Sequence, residues 1–136
     1  MLKRTVLAGV AVFVTLSILD FVIHGMLLEP IYQATADLWR PMDEMNMALM
    51  YGVTLAVTAC FVALYAHLFT SKSVLAGIKL GTLFGLATGI SMGFGSYGYM
   101  PIPLSLAWSW FLGVLTEFVI AGAIVGALVK SGEGAS

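Results

Sequence analysis

The sequence predicts an all-α membrane protein: an antiparallel bundle of four transmembrane helices, with a short interfacial helix between spans one and two. Three observations predict it. The chain has 136 residues, of which 60% are apolar and only 10% charged, where a soluble domain usually carries about a quarter. A soluble domain of this length has too little interior to hide so much apolar surface. Four apolar stretches, at about 5–28, 46–69, 74–94 and 104–129, each come near the roughly 20 residues that cross a bilayer. None shows the alternation of barrel strands, and a spanning segment must satisfy its own backbone polar groups, which leaves helices. The length sets one domain over 1–136.

Span one follows Lys3 and Arg4, and Ala34-Thr35-Ala36 has the look of a cleavage site. The apolar stretch is nevertheless too long for a signal-peptide core, and it carries Asp20 and His24, so it reads as a retained helix. In residues 29–45, Pro30 opens a short helix, with Ile31, Thr35 and Leu38 at helical spacing. Tyr32, Ala36 and Trp39 line the adjacent stripe, as in a helix lying in the interface. Arg40-Pro41 ends it, because a proline disfavours helix at the residue before it. Pro41 is then placed to start the second spanning helix, with Asp43 and Glu44 in its first turn at the positive end of the dipole. The polar turn Thr70-Ser71-Lys72-Ser73 makes spans two and three antiparallel neighbours, and Ser71 or Ser73 caps the third. A faint echo relates His24-Gly25-Met26 to Tyr97-Gly98-Tyr99-Met100, each following an odd-numbered span. The lone Cys60 falls inside an apolar stretch and reads as a buried small residue.

The basic residues give a direction. Lys3, Arg4, Lys72, Lys79 and Lys130 fall on one side of a four-span topology, and only Arg40 on the other. The positive-inside rule puts both termini and the 70–73 turn in the cytoplasm. Tyr32, Trp39, Tyr51, Tyr97, Tyr99, Trp108 and Trp110 then lie near the outer face, as belt aromatics should. The net charge of −1 offers no basic surface for nucleic acid.

The most specific pattern is in span three, where Gly77, Gly81, Gly85, Gly89 and Gly93 recur every four residues. A row without side chains forms a groove of the glycine-zipper kind, where another backbone comes close. Gly122 and Gly126 form a shorter pair in span four. The row serves either packing within the chain or assembly with another copy or subunit, since both use the same van der Waals contact. Its midspan members Gly85 and Gly89 are expected to be the tightest, because the ends of a helix pair can splay.

All four spans carry ionisable groups. Glu117 lies about thirteen residues into span four, near mid-bilayer at 1.5 Å per residue. A carboxyl there is costly unless paired, protonated or hydrated. Its expected state is the neutral acid, hydrogen-bonded by Thr116 or nearby hydroxyls, with Lys79 its one intramembrane candidate cation. Asp20 and His24, four apart, share a face of span one toward its outer end. Met26, Met42, Met45, Met47 and Met50 follow, and thioethers with an imidazole would suit Cu(I). Their spacing matches no ligand motif, and they read as fillers of apolar gaps. His67 lies near the other end of its span, too far from His24 to share a metal or haem. No metal, cofactor or catalytic residue is expected, and no hydrolase elbow, phosphate loop, HExxH or dinucleotide fingerprint is present.

These readings predict a non-enzymatic packing or accessory subunit, either a homo-oligomer or part of a larger membrane complex. Its partners are the lipid bilayer and itself or other membrane subunits. The first alternative is a proton- or metal-coupled small transporter using Asp20, His24 and Glu117; the second is a lipid- or quinone-binding membrane protein. A transporter needs a continuous polar path. Counted from each span's own end, Glu117 is separated from the Asp20/His24 pair unless the fold brings them together.

His24-Gly25-Met26-Leu27-Leu28, Pro30-Ile31-Tyr32 and Leu38-Trp39-Arg40 resemble the outer end of span one in short four-span bacterial membrane proteins catalogued as a domain of unknown function. Those proteins tend to have Trp-Tyr where this chain has Ile23-His24. The resemblance implies a bacterial inner-membrane location and no activity.

Overall fold

A computed structural model describes residues 1–131, and among them it is all-helical, without strands. Of the unit expected over 1–136, residues 132–136 lie outside the described residues. Helix α1 (Leu2–Val22) runs on through a π-helical turn at Ile23–Leu27. A short α2 (Glu29–Ala34) precedes α3 (Met47–Leu68). Helix α4 (Val74–Ile90) ends in a second π-helical turn at Ser91–Gly95, and α5 is Leu104–Leu128. Four rods are long and apolar enough to cross a membrane: Leu2–Leu27, Met47–Leu68, Val74–Gly95 and Leu104–Leu128. These bounds lie close to those read from the sequence. The two spans related by the faint echo both finish in a π-helical turn, a local widening that re-aims side chains.

Helix starts follow capping chemistry. The Ser73 side chain accepts from the Ala76 N–H at 3.1 Å and opens α4, one of the two caps expected. At α3 the expectation fails. Pro41 does not start the spanning helix; Met42–Glu44 form a separate 3-10 turn and Met45 is extended. Asn46 is the cap, its side chain accepting from the Leu49 N–H at 2.9 Å, so Asp43 and Glu44 stand outside the helix. The short helix after Pro30 forms but breaks at Thr35, before the expected end at Arg40-Pro41, and Ala36–Leu38 is a separate 3-10 turn.

Helices α4 and α5 run antiparallel with their backbones in contact. A Cβ on Gly77 would collide with the carbonyl oxygen of Gly122, one on Gly81 with that of Phe118, and one on Gly93 with that of Ala107. A Cβ on Gly126 would sit 2.6 Å from the Ser73 carbonyl oxygen and 2.7 Å from the Val74 Cα. The whole row is therefore used inside the chain. The midspan expectation is corrected: a Cβ at Gly85 would sit 3.0 Å from the Leu115 Cα and one at Gly89 2.9 Å from the Phe111 carbonyl oxygen, looser than at Gly77, Gly81 or Gly93.

Beyond this seam the molecule has two different ends. At the turn end, where residues 69–73 join α3 to α4, Val12, Phe61, Val62, Tyr65, Phe118 and Val125 belong to one core. The Tyr65 hydroxyl donates to the Ser73 carbonyl and accepts from the Ser73 N–H, each at 2.9 Å, tying the two helices across the turn. At the loop end, Leu28, Ile102, Leu106, Ala107 and Trp110 form a second cluster. Helix α3 belongs only to the first. Its buried residues are Thr58, Phe61, Val62, Tyr65 and Ala66, and none lies between Met47 and Val57.

Two further expectations are corrected. Cys60 is exposed on the outside of α3, because the buried stripe passes through Thr58, Phe61 and Val62 instead. The belt aromatics divide: Tyr51, Tyr97, Tyr99 and Trp108 are exposed, but Trp110 is only 7% exposed. Tyr32, Trp39 and Trp110 stack edge to face inside the loop-end cluster, with centroids 5.4 and 5.9 Å apart.

Candidate functional site

Because the loop-end half of α3 leaves the bundle, a cleft of about 240 Å³ opens between α1, α3, α4 and α5. Asp20 of α1 and Glu117 of α5 both line it. Glu117 is only 6% exposed, and its Oε1 has no hydrogen-bond partner among the described residues. The rest of the wall is apolar, with Leu16, Val57, Met92 and Phe118 among it, except for Thr54 and Thr88. Both threonine hydroxyls spend their protons on their own helices: Thr54 donates to the Met50 carbonyl at 3.2 Å and Thr88 to the Phe84 carbonyl at 2.7 Å. What they turn to the cleft is lone pairs. The cleft therefore offers oxygen acceptors and apolar surface, without a basic side chain or a free hydroxyl proton.

Toward the turn end the cleft is shut. Phe118 packs on Phe84 and Phe61, and Phe84 on Phe61, with centroid separations of 4.7, 5.2 and 5.3 Å. Toward the loop end it continues into a polar chain. The Asp20 Oδ1 lies 4.0 Å from the His24 Nε2, the only acidic and basic side chains within that distance among the described residues. The His24 Nδ1 lies 2.6 Å from the Tyr32 hydroxyl, which accepts from the Trp110 Nε1–H at 2.7 Å. Burial raises the Tyr32 pKa, against a smaller lowering from the Trp110 hydrogen bond, so the phenol holds its proton. That O–H needs an acceptor, and His24 Nδ1 is the one in reach. This assigns the neutral tautomer with its one ring N–H on Nε2, facing Asp20.

The fold thus brings Glu117 to the Asp20/His24 pair, from which counting along separate spans leaves it apart. The register of α1 on α5 explains it. A Cβ at Gly113 would sit 3.5 Å from the Ile23 side chain, so Ile23 stands level with Gly113 and Asp20 with Glu117. Helix α1 stops short, and α2 stands beside the first turns of α5 in its place. The two spans do not begin at the same level, so residue counts from their ends are not depths.

Other expected partners are absent from this cluster. Lys79 is exposed and makes no ion pair among the described residues. Thr116 is also exposed, and its hydroxyl donates to the Leu112 carbonyl at 2.8 Å, not to Glu117. Among the described residues no three His, Cys, Asp or Glu side chains converge as a metal site. The sequence reading missed Tyr32 as the hydrogen-bond hub, and Thr54 and Thr88 as cleft walls. The signal for Tyr32 was its place on the stripe with Trp39, read there as a belt. Compared with protein-family models, with curated proteins and with solved structures, the chain matches none.

Proposed function

We propose that this chain is a multi-pass bacterial inner-membrane protein of the proton-coupled transporter class, without enzymatic activity. In this reading the four spans form one antiparallel bundle with α2 in the outer interface, and Glu117 exchanges a proton with the outer side through Asp20 and His24. The observation that carries it is the Glu117 carboxyl: 6% exposed, with an oxygen lacking any partner among the described residues, on the wall of a cleft beside a second carboxyl. A carboxyl kept at such a depth by default marks function. The acids facing Glu117 come from α1 alone; α3 and α4 add only hydroxyl and apolar groups. The aromatic plug of Phe61, Phe84 and Phe118 fits a state open toward the loop end and closed toward the turn. The accessory-subunit reading has less support, since the glycine row is already occupied by α5 and leaves no groove for a partner.

Two measurements test this. Infrared difference spectra of the reconstituted protein, with the outer pH stepped from acidic to alkaline, should show loss of a protonated-carboxyl band. That band should be missing in Glu117→Gln and shifted in Asp20→Asn. A Glu117 band that ignores outer pH throughout means a purely structural carboxyl and ends the proposal. The direction rests on five basic residues against one. In a Cys60→Ser background, cysteines placed at 37 or 43 should react with an impermeant reagent on intact cells and one at 72 should not. Labelling at 72 reverses the topology.

A further inference from the structure

We infer that the cleft binds a small organic monocation, an ammonium bearing short apolar arms, which takes the place of the proton on Glu117. The inference rests on the proton-coupled reading above and names its substrate class.

Four features of the cleft select this chemistry. The first is charge. Two carboxyls share the cavity, and no Lys, Arg or His lines it directly. The second is hydrogen-bond polarity. With the Thr54 and Thr88 protons committed to backbone carbonyls, the polar wall is made of acceptors once Glu117 has given up its proton, and a ligand rich in acceptors would then leave the Glu117 carboxylate without a donor. The third is the apolar remainder: Leu16, Val53, Val57, Met92, Val114 and Phe118. Short alkyl or aryl arms can fill this surface. The fourth is size. About 240 Å³ falls below the roughly 300 Å³ at which pockets for drug-sized ligands begin.

A bare inorganic cation fits less well. Such an ion needs a full shell of oxygens to replace its water, and the wall supplies two carboxyls and two hydroxyls embedded in hydrocarbon. An organic ammonium carries its own apolar coat and needs no such shell.

The exchange is non-covalent and balances. The cation enters, Glu117 gives up one proton, and the carboxylate holds the positive charge in its place. The proton leaves by Asp20 and His24 toward the loop end. Asp20, partly exposed at the cleft mouth, meets the cation first, and Glu117 completes the site.

The test is calorimetric titration of the full chain in lipid nanodiscs with benzyltrimethylammonium, repeated in two buffers of different ionisation enthalpy to count protons. The expected result is saturable binding with about one proton released per cation. Losing one charge-assisted contact in Glu117→Gln or Asp20→Asn should weaken binding roughly tenfold or more. Benzyl alcohol, matched in its ring but neutral, should not bind. Should Glu117→Gln fail to fold, Asp20→Asn carries the comparison, with Thr54→Val expected to weaken binding less. Equal binding of benzyl alcohol, unchanged affinity in the carboxyl variants, or proton release by sodium alone would each overturn the inference. A Glu117 band that responds to outer pH without cation binding removes this inference and keeps the proton-coupled reading; a band that never responds removes both.

Discussion

The α4–α5 seam and the loop-end cleft face opposite problems of contact. In the seam, seven glycines let two backbones touch, so that a single added methyl meets a carbonyl oxygen at Gly77, Gly81 or Gly93. In the cleft, α3 leans away, and four helices surround space that contains two carboxyls. Lipid chains are as apolar as leucine, so helices in a membrane gain little by hiding apolar surface and hold together by close packing. The seam supplies that packing on one side. It leaves α1 and α3 free to frame an opening on the other, held at the turn end by the Phe61 core and the Tyr65–Ser73 clamp. The difference teaches that the glycine row serves the site indirectly, as the rigid wall carrying Glu117 on its α5 side.

The sharpest way to break this contrast is to add one carbon to each region. Gly81→Ala drives a methyl into the Phe118 backbone carbonyl, where no side chain can move aside. Overpacking usually costs about 1–3 kcal/mol, and rigid backbone on both sides puts this case at the upper end. The control is Gly52→Ala on α3, where nothing lies within 4 Å. There the change should stabilise by about 0.5–1 kcal/mol, through helix propensity and unfolded-state entropy. Thermal unfolding in one detergent gives both signs. In the cleft, Val53→Phe adds far more volume, yet should move the unfolding temperature little while blocking benzyltrimethylammonium. Equal destabilisation by Gly81→Ala and Val53→Phe would mean that the two regions are packed alike.

A smaller effect probes the bridge from the cleft to the loop-end cluster. Tyr32→Phe keeps the ring against Trp39 but removes the hydroxyl that serves both His24 Nδ1 and Trp110 Nε1–H. Leaving a buried donor unpaired costs about 1–3 kcal/mol. The variant should lose stability in that range and shift the His24 imidazole resonances. An unchanged imidazole spectrum would detach Tyr32 from the polar chain.

How much of this was readable in the sequence depends on the range of each interaction. The four spans, the Ser73 cap and the glycine groove follow from local chemistry, and all appear where spacing and hydropathy put them. The partner of the groove was not readable, because a row of glycines accepts any backbone. Asp20 and Glu117 were each visible as costly intramembrane acids. Their meeting was not, since it depends on the offset between α1 and α5, which is set by α2 standing beside the first turns of α5. Tyr32 and Trp110 sit at the depth of a belt, but their polar atoms face each other across 78 positions of sequence. Hydropathy reports depth, and it cannot say which way a side chain turns.

The smallest expected effect is a pH dependence at the loop end, and its sign follows from Tyr32. Burial lifts its folded-state pKa above the ordinary value of 10.0. Between the unfolded and folded pKa values the native phenol keeps its proton while the unfolded chain releases one. The unfolded state then binds fewer protons, so stability falls as pH rises. The contribution is fully present below pH 10 and is lost as pH climbs through the folded value. The loss should concentrate in contacts that share the Tyr32 hydroxyl: amide exchange in α2 and the first turns of α5 should quicken above pH 10, beyond the intrinsic base dependence. The Tyr65–Ser73 clamp at the turn end carries a second buried phenol, in a core that does not include Tyr32, so it has an alkaline response of its own that a change at Tyr32 should leave alone. In Tyr32→Phe the extra quickening at the loop end should vanish while the turn end keeps its profile. Quickening that persists in Tyr32→Phe would trace the alkaline effect to another group and separate the loop-end packing from the phenol.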